Sequence, residues 1–524
     1  MKNNKTNAKF IYEAIILLLV AVVAIFNLKY ANEPLLGLHS FRQTQTAITA
    51  YWFDFHNILN SIFSYETPIL GCPWSVPFEF PIFQMIVAGF HGISRIPLDL
   101  SGRLLSFLFF LVCFFPLSEI IKELKIDREY FYISTILILL SPCYLYWSRA
   151  FMIESTALLA GFLFLWSSVR YFKTFSWKWY FWTLLFGMLC TLIKITTFPS
   201  FAISAIFLSC LLLSNTKKKF NFRNVLIKTI PIGVIFFICL ICLMWWTHHA
   251  DCLKQSNRIA NFLTSKNLEV WSFGTFSQRV SYYFWADVLW KRILTHALGF
   301  SYSILIILVG FLYCKKNQSY FMLGLLVLFF IPMLIFTNLH IIHDYYQYAN
   351  DIWLILCLSY ALYSIQLKSD SKINFYLFIL FFGFVISSDC VVFYRDYYKS
   401  IIEVEHNGDK DPRLEISHKI QAVTPVDSVV IIIGQDWSPE IPYYSQRKAV
   451  LVPNWLTFEQ ASSILDDKKI YGNITVAAIV SNTNTGGNTA KNDQILKHLL
   501  NTYHNFDLVF TSGGMNLYSY RKSL

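Results

Sequence analysis

Apolar residues run along this chain in blocks of about twenty, the length that carries a helix across a bilayer core. The blocks cover 10–28, 103–121, 130–148, 155–172, 179–193, 196–213, 226–246, 293–313, 319–338, 350–367 and 374–393. Short polar stretches separate most of them, and the pattern predicts about eleven transmembrane helices. A further apolar segment, 81–97, begins at a proline and carries Gln84, His91 and Arg95. It is expected as a juxtamembrane or re-entrant helix that does not cross. After Arg395 polarity rises and the pattern changes. It reads as helix 412–422, strand 429–434, strand 447–453, helix 458–467, strand 476–481, helix 490–501 and strands within 506–521, a small α/β domain. The expected organisation is an α-helical polytopic core, 1–395, with an external loop at 29–102, followed by an independent soluble domain, 396–524.

Composition agrees with a membrane protein. Of 524 residues, 55% are hydrophobic and only 14% charged, more apolar than a water-soluble fold requires. The formal charge of +11 would suit a nucleic-acid partner. Its excess cations, however, collect between the apolar blocks, at Lys2/Lys5/Lys9, Lys122/Lys125/Arg128, Arg170/Lys173/Lys178, Lys217/Lys218/Lys219/Arg223, Lys315/Lys316 and Lys368/Lys372. All fall on one face when 81–97 does not cross, as cytoplasmic cations do. No nucleic acid is expected. The N-terminus is then inside and the tail outside, and the first block, which no A-x-A-like cleavage site follows, is a retained span. Eight of the eleven cysteines lie in apolar runs; Cys72, Cys252 and Cys390 alone could meet an oxidising compartment.

That topology gathers ionisable residues at outer span ends, where they are costly and mark sites or pathways. They are His39 and Arg42 in "GLHSFRQTQT", Glu79 in "PFEFP", Arg149 and Glu154 in "RAFMIE", Lys194 in "IKITTFPS", and His340, His343, Asp344, Tyr345 and Tyr346 in "HIIHDYY". Carboxylates and cations together suit acid/base chemistry on a phosphate-bearing substrate. Gln43 and Gln45 add amides suited to sugar hydroxyls. Each has a simpler structural reading. Arg149 and Lys194 can snorkel to headgroups, Glu79 can cap the following helix, and the tyrosines can form an interfacial belt. His248, His249 and Asp251 resemble a metal cluster, but adjacent histidines seldom face one ion, and a polar loop is the favoured reading. No metal ligands are assigned, and a divalent cation is left open.

Taken in order and by side, "EFP" opening a juxtamembrane helix, "RAFMIE" at the outer end of the third span and "IKITTFPS" after the fifth resemble the C-type glycosyltransferases. These depend on polyprenyl phosphate and include protein O-mannosyltransferases and the lipid A aminoarabinose transferase. The resemblance covers roughly 10–400. It implies a GT-C-like fold in a bacterial inner membrane and an inverting hexosyl- or pentosyltransferase. The donor would be a polyprenyl-phosphate sugar, the acceptor a periplasmic glycan, lipid or protein. Relatives carry an acidic residue in the first external loop where this chain has His39 and Ser40. Glu79, then Glu154, then His39 are therefore expected as the base. Arg42, Lys194, His343, Tyr345 and Tyr346 are expected to hold the lipid phosphate, with Arg149 beside them. The rival readings are a flippase of lipid-linked sugars, which would show inverted repeats, and an O-antigen ligase or polymerase, whose catalytic groups sit in a late loop.

Overall fold

The computed structural model describes residues 2–214, 222–368, 372–482 and 489–520; the expected basic cluster at Lys217, Lys218 and Lys219 lies outside them. Two compact units emerge. One comprises Met1–Ala31, Arg103–Trp245 and Glu269–Lys399, the other Asn32–Gly102, Trp246–Leu268 and Ser400–Leu524. Residues 32–102 thus pack with the tail, a different grouping from a single boundary at 395/396.

The first unit is a helical bundle. Its central helix, Asp351–Leu367, is buried on every side from Asp351 to Ile365, as a helix apolar all round must be. Arg128–Leu140, Ile304–Tyr313, Lys316–Ile335 and Lys372–Phe393 pack around it, and Glu154–Thr174 pairs with Trp177–Ile193. Among the described residues five helices are long and apolar enough to cross a membrane: Lys9–Lys29, Leu98–Glu123, Thr229–Ser256, Lys316–Ile335 and Lys372–Val423. The remaining expected spans coincide with shorter or less apolar helices.

Three spans differ from their expected form. The block 293–313 is broken between Tyr283–Leu298 and Ser301–Tyr313 by a 76° bend. Gly299 makes the break, with φ of 77° and a Cβ position that would lie 2.5 Å from the Asp389 nitrogen, which only glycine can accept. The block 130–148 is interrupted at Ser141, where the Arg128–Leu140 helix ends and Pro142 opens another. Phe222–Ser256 continues ten residues past the expected end at 246, so part of 247–292 is helix rather than loop.

The second unit is built on a five-stranded sheet in the order β2-β1-β3-β5-β4. Its strands are β1 (Val429–Ile433), β2 (Lys448–Val452), β3 (Val476–Asn482), β4 (Phe506–Ser512) and β5 (Met515–Tyr520). β1 pairs in parallel with β2 and β3, while β5 runs antiparallel to β3 and β4. The near-continuous apolar runs of β1 and β2 fit a parallel sheet covered on both faces. β2 lies at the edge, and the external loop covers it. The Ala449 and Leu451 amides donate to the Pro68 and Ile69 carbonyls at 2.9 Å each, and the Gly71 amide donates back to the Ala449 carbonyl at 3.1 Å. This satisfies backbone groups that an open edge leaves exposed. Gly71, at φ 79°, closes against the Ile470 carbonyl, where a Cβ would come within 2.9 Å. Asn257 locks the turn by donating to the Leu70, Gly71 and Pro73 carbonyls.

Two helices of this unit carry the loop's chemistry. Ser40–Tyr51 buries every residue from Gln43 to Ala50 although five of these eight are polar. Its threonines make this tolerable: Thr44, Thr46 and Thr49 each donate to the carbonyl four residues back, satisfying hydroxyls that burial would otherwise penalise. The apolar segment 81–97 holds a helix thirteen residues long, Ile82–Ser94. Both Ile82–Ser94 and Glu440–Ser445 pack on Ser40–Tyr51.

Candidate active site

In the second unit the two short motifs of the first external loop meet directly. Arg42, in the first turn of Ser40–Tyr51, points Nη2 at Glu79 Oε1, 3.0 Å away. Its Nη1 donates to Gln45 Oε1 at 2.6 Å. Gln84, one turn into Ile82–Ser94, donates from Nε2 to the same Glu79 oxygen at 2.8 Å. Tyr65 fixes the backbone beneath: its hydroxyl donates to the Glu79 carbonyl at 2.8 Å and accepts from the Phe78 amide at 2.7 Å. Every side-chain contact to Glu79 is made at Oε1. Among the described residues Oε2 has no hydrogen-bond partner and is not fully buried, and an ionised carboxylate there has acceptor capacity to spare. Gln84 Oε1 is buried with no partner, in a residue only 1% exposed. The cluster is therefore a braced carboxylate with one oxygen held and one available, a cation beside it, and an unmet acceptor next to both.

Other residues of the loop are turned to different work. Gln43 donates from Nε2 to the Leu38 carbonyl at 2.9 Å, bracing the turn before the helix, so this amide hydrogen is not offered to a sugar. His39 caps the helix in the left-handed conformation, φ 50°, and lines a cleft with Glu403, Asp411 and Arg413. Ser40 donates to Glu440 Oε1 from the tail. Arg413 Nη1 reaches the same oxygen at 2.8 Å. Glu440 thus places a carboxylate from the tail beside Ser40.

The first unit holds a second cluster. Lys194 Nζ lies 2.5 Å from Glu154 Oε1, and both side chains are buried. Lys194 is the residue at which the Trp177–Ile193 helix ends, and Glu154 opens the next-door helix, so the pair joins two helix ends. Tyr346 faces Lys194 Nζ at 4.3 Å from the ring centroid and Tyr345 at 5.3 Å, both within cation–π range. His343 stacks on Tyr345 at 5.1 Å. Glu154 Oε2 is buried with no partner among the described residues. Arg149 Nη2 donates to the Tyr30 carbonyl at 2.6 Å, and Arg103 donates to the Tyr30 and Ala31 carbonyls. Together they close the C-terminal end of the first helix, where cations are favoured.

His340 is neutral and structural. It is 1% exposed, its ring nitrogens face Gln347 and Asn350, and burial pushes its pKa down to about 3. His248, His249 and Asp251 do not converge: His249 is bonded to the Phe63 carbonyl, and Asp251 accepts from Ser265. Among the described residues no group of three His, Cys, Asp or Glu is arranged to hold a metal ion. Sequence reasoning missed Gln84, Tyr65 and Glu440. Gln84 was visible as a polar residue in an apolar helix one turn past "EFP", whereas nothing in the sequence linked Glu440 to Ser40.

A polytopic helical core with a small C-terminal α/β domain is the GT-C-like architecture. The chain shares its fold with ArnT from Cupriavidus metallidurans bound to undecaprenyl phosphate (TM-score 0.61, 10% identity, 99% of either chain). The apo state of ArnT is similar (TM-score 0.60, 11% identity, 97% of this chain and 98% of that one). So is the arabinofuranosyltransferase AftD from Mycobacteria (TM-score 0.53, 12% identity, 97% of this chain and 40% of that one). In sequence no family model and no curated protein matches the chain.

Proposed function

We propose that the protein is an inverting glycosyltransferase that moves a sugar from a polyprenyl-phosphate donor to an acceptor hydroxyl on the outer face of the membrane. The observation that carries this reading is the Arg42–Glu79–Gln84 cluster, within a fold shared with a protein that binds undecaprenyl phosphate and with an arabinofuranosyltransferase. Glu79 Oε2 accepts the acceptor's hydroxyl proton. The hydroxyl oxygen attacks the anomeric carbon, the bond from that carbon to the phosphate oxygen breaks, and polyprenyl phosphate leaves with the bonding pair. Arg42 stabilises the charge that grows on the departing phosphate and can do so in a bidentate manner. Attack opposite the leaving group inverts the configuration.

The buried Lys194–Glu154 pair, faced by Tyr345 and Tyr346, supports a second phosphate- or headgroup-recognising role for the first unit. Its ammonium is already desolvated and would bind an anion strongly if Glu154 released it. The core and loop carry transfer, and the tail holds the acceptor-side loop in shape. The test is to incubate purified protein in lipid nanodiscs with undecaprenyl-phosphate sugars and an acceptor, and to measure release of free undecaprenyl phosphate. Acceptor-dependent release supports transfer. Movement of intact donor between leaflets without release would identify a flippase instead.

A further inference from the structure

A second cleft opens in the second unit at the far end of the helix that carries Arg42. It has a volume of about 590 Å³, and Asn32, Tyr51, His91, Asp99, Tyr444 and Gln446 line it. Arg42 and Tyr51 stand nine residues apart on Ser40–Tyr51, so the cleft lies ~14 Å along the helix from the Arg42–Glu79 pair.

Its walls are fixed. Asp99 Oδ1 accepts from the Tyr443 hydroxyl, and Oδ2 accepts from the Tyr444 hydroxyl at 3.0 Å. The Tyr444 oxygen in turn accepts from the Leu35 amide. The two rings stand edge to face, 4.9 Å between centroids. His91 Nδ1 sits 2.6 Å from the Ile96 carbonyl. A carbonyl only accepts, so Nδ1 carries the hydrogen and Nε2 offers a lone pair. Among the described residues the side chains of Asn32, Tyr51 and Gln446 and the Nε2 of His91 make no hydrogen bond. Gln446 holds a left-handed backbone, φ 54°, an uncommon state for a residue with a Cβ that marks a position worth a functional hypothesis.

The chemistry of the lining selects its ligand. Among the described residues no lysine or arginine lines the cleft and its one acid is Asp99, so an anion such as the donor phosphate is disfavoured. Two amides, an imidazole acceptor and tyrosine rings suit hydroxyl groups on one side and C–H faces on the other. We propose that this cleft binds an uncharged sugar unit of the acceptor. The assignment rests on the glycosyl-transfer reading for its purpose but not for its test, since binding is measured without turnover.

Saturation-transfer NMR on the full chain in nanodiscs, with maltotriose and chitotriose as soluble probes, reads the interaction directly. Nanodiscs containing monoglucosyl diacylglycerol form a second arm, which separates a soluble glycan from a glycolipid headgroup. The expected result is saturation of sugar ring protons in at least one arm, weakened about tenfold by Tyr51→Ala, the size of one lost aromatic contact. Gln446→Gly, which removes the side chain and relieves the left-handed strain, should also weaken it while keeping or raising the melting temperature. Glu79→Gln should leave binding unchanged. No saturation in either arm, or saturation unaltered by Tyr51→Ala and Gln446→Gly, overturns the proposal. Cleft-dependent binding in a protein that never releases polyprenyl phosphate would leave the cleft standing and remove the transferase reading.

Discussion

Arg42 and Glu79 form a direct ion pair at 3.0 Å, with side chains 17% and 12% exposed. The motifs "HSFRQTQT" and "PFEFP" are therefore parts of one cluster. On the proposed reading, a donor phosphate reaching Arg42 has to share it with Glu79, which would couple phosphate arrival to the freedom of that carboxylate.

The roles separate by substitution. Glu79→Gln keeps the shape and the Gln84 contact and is expected to abolish transfer while donor binding stays near normal, because a base acts on the transition state more than on the ground state. Arg42→Ala should lose donor affinity as well, through a missing bidentate cation. Single-turnover kinetics with undecaprenyl-phosphate sugar, alongside donor titration, distinguishes the two. Near-normal transfer by Glu79→Gln, with Glu154→Gln or His39→Ala inactive, would falsify the choice of base.

Gln84 orients Glu79 through a hydrogen bond to a charged group, worth about 1.5–3 kcal/mol. Gln84→Ala should lower kcat about 10- to 100-fold with KM for the donor little changed. An equal loss in donor affinity would mean that Gln84 shapes the loop instead.

Lys194 and Glu154 are both buried, so removing one leaves the other charged and unmatched. Lys194→Met is expected to destabilise the protein by about 3–5 kcal/mol, and Lys194→Met with Glu154→Gln to recover much of that loss. Thermal unfolding in detergent measures it. A single variant as stable as the double would show that the pair is not closed in the membrane.

His340 sets an acid limit. Its ordinary pKa is 6.5 and burial pushes it down to about 3, so between those values the unfolded chain takes up a proton that the folded chain refuses. The stability carried by the neutral ring is whole above pH 6.5 and drains away as pH falls toward 3. His340→Asn should flatten the fall in melting temperature across that window. An unchanged slope would place the acid sensitivity elsewhere.

Deleting 400–524 tests the grouping of loop and tail. It strips Glu440 from Ser40, Tyr444 from Leu35 and β2 from 68–71, so the loop should become protease-sensitive and transfer should cease even though the bundle stays in the membrane. Full activity of the truncated chain would overturn the dependence.

Legibility in the sequence followed burial pattern. Membrane helices declare themselves because a whole block must be apolar, and the alternating elements of the tail were readable for the same reason. Strand 429–434 is β1, and helix 412–422 is Pro412–Val423. The Ser40–Tyr51 helix was not, since its buried face is threonine and glutamine whose polar atoms are satisfied locally. Contacts such as Glu440 on Ser40 join residues far apart in sequence, where no periodicity can report them. For the site, Arg42, Gln45 and Glu79 were found as a group. Arg149 and Gln43 each donate to a backbone carbonyl, contacts that residue type alone does not announce.

The seal that 68–71 places on β2 also sets a schedule. Residues 32–102 leave the ribosome roughly 300 residues before their partners in the tail, and at about 5–20 residues per second that is a wait on the order of half a minute. Throughout it, Ser40 lacks Glu440, and the turn at Gly71 has no strand to rest on. The packing around Ser40 and Gly71 is thus finished last, by a segment made at the opposite end of the chain, and a nascent protein stalled anywhere in the bundle would carry every membrane helix made so far with residues 32–102 still uncovered.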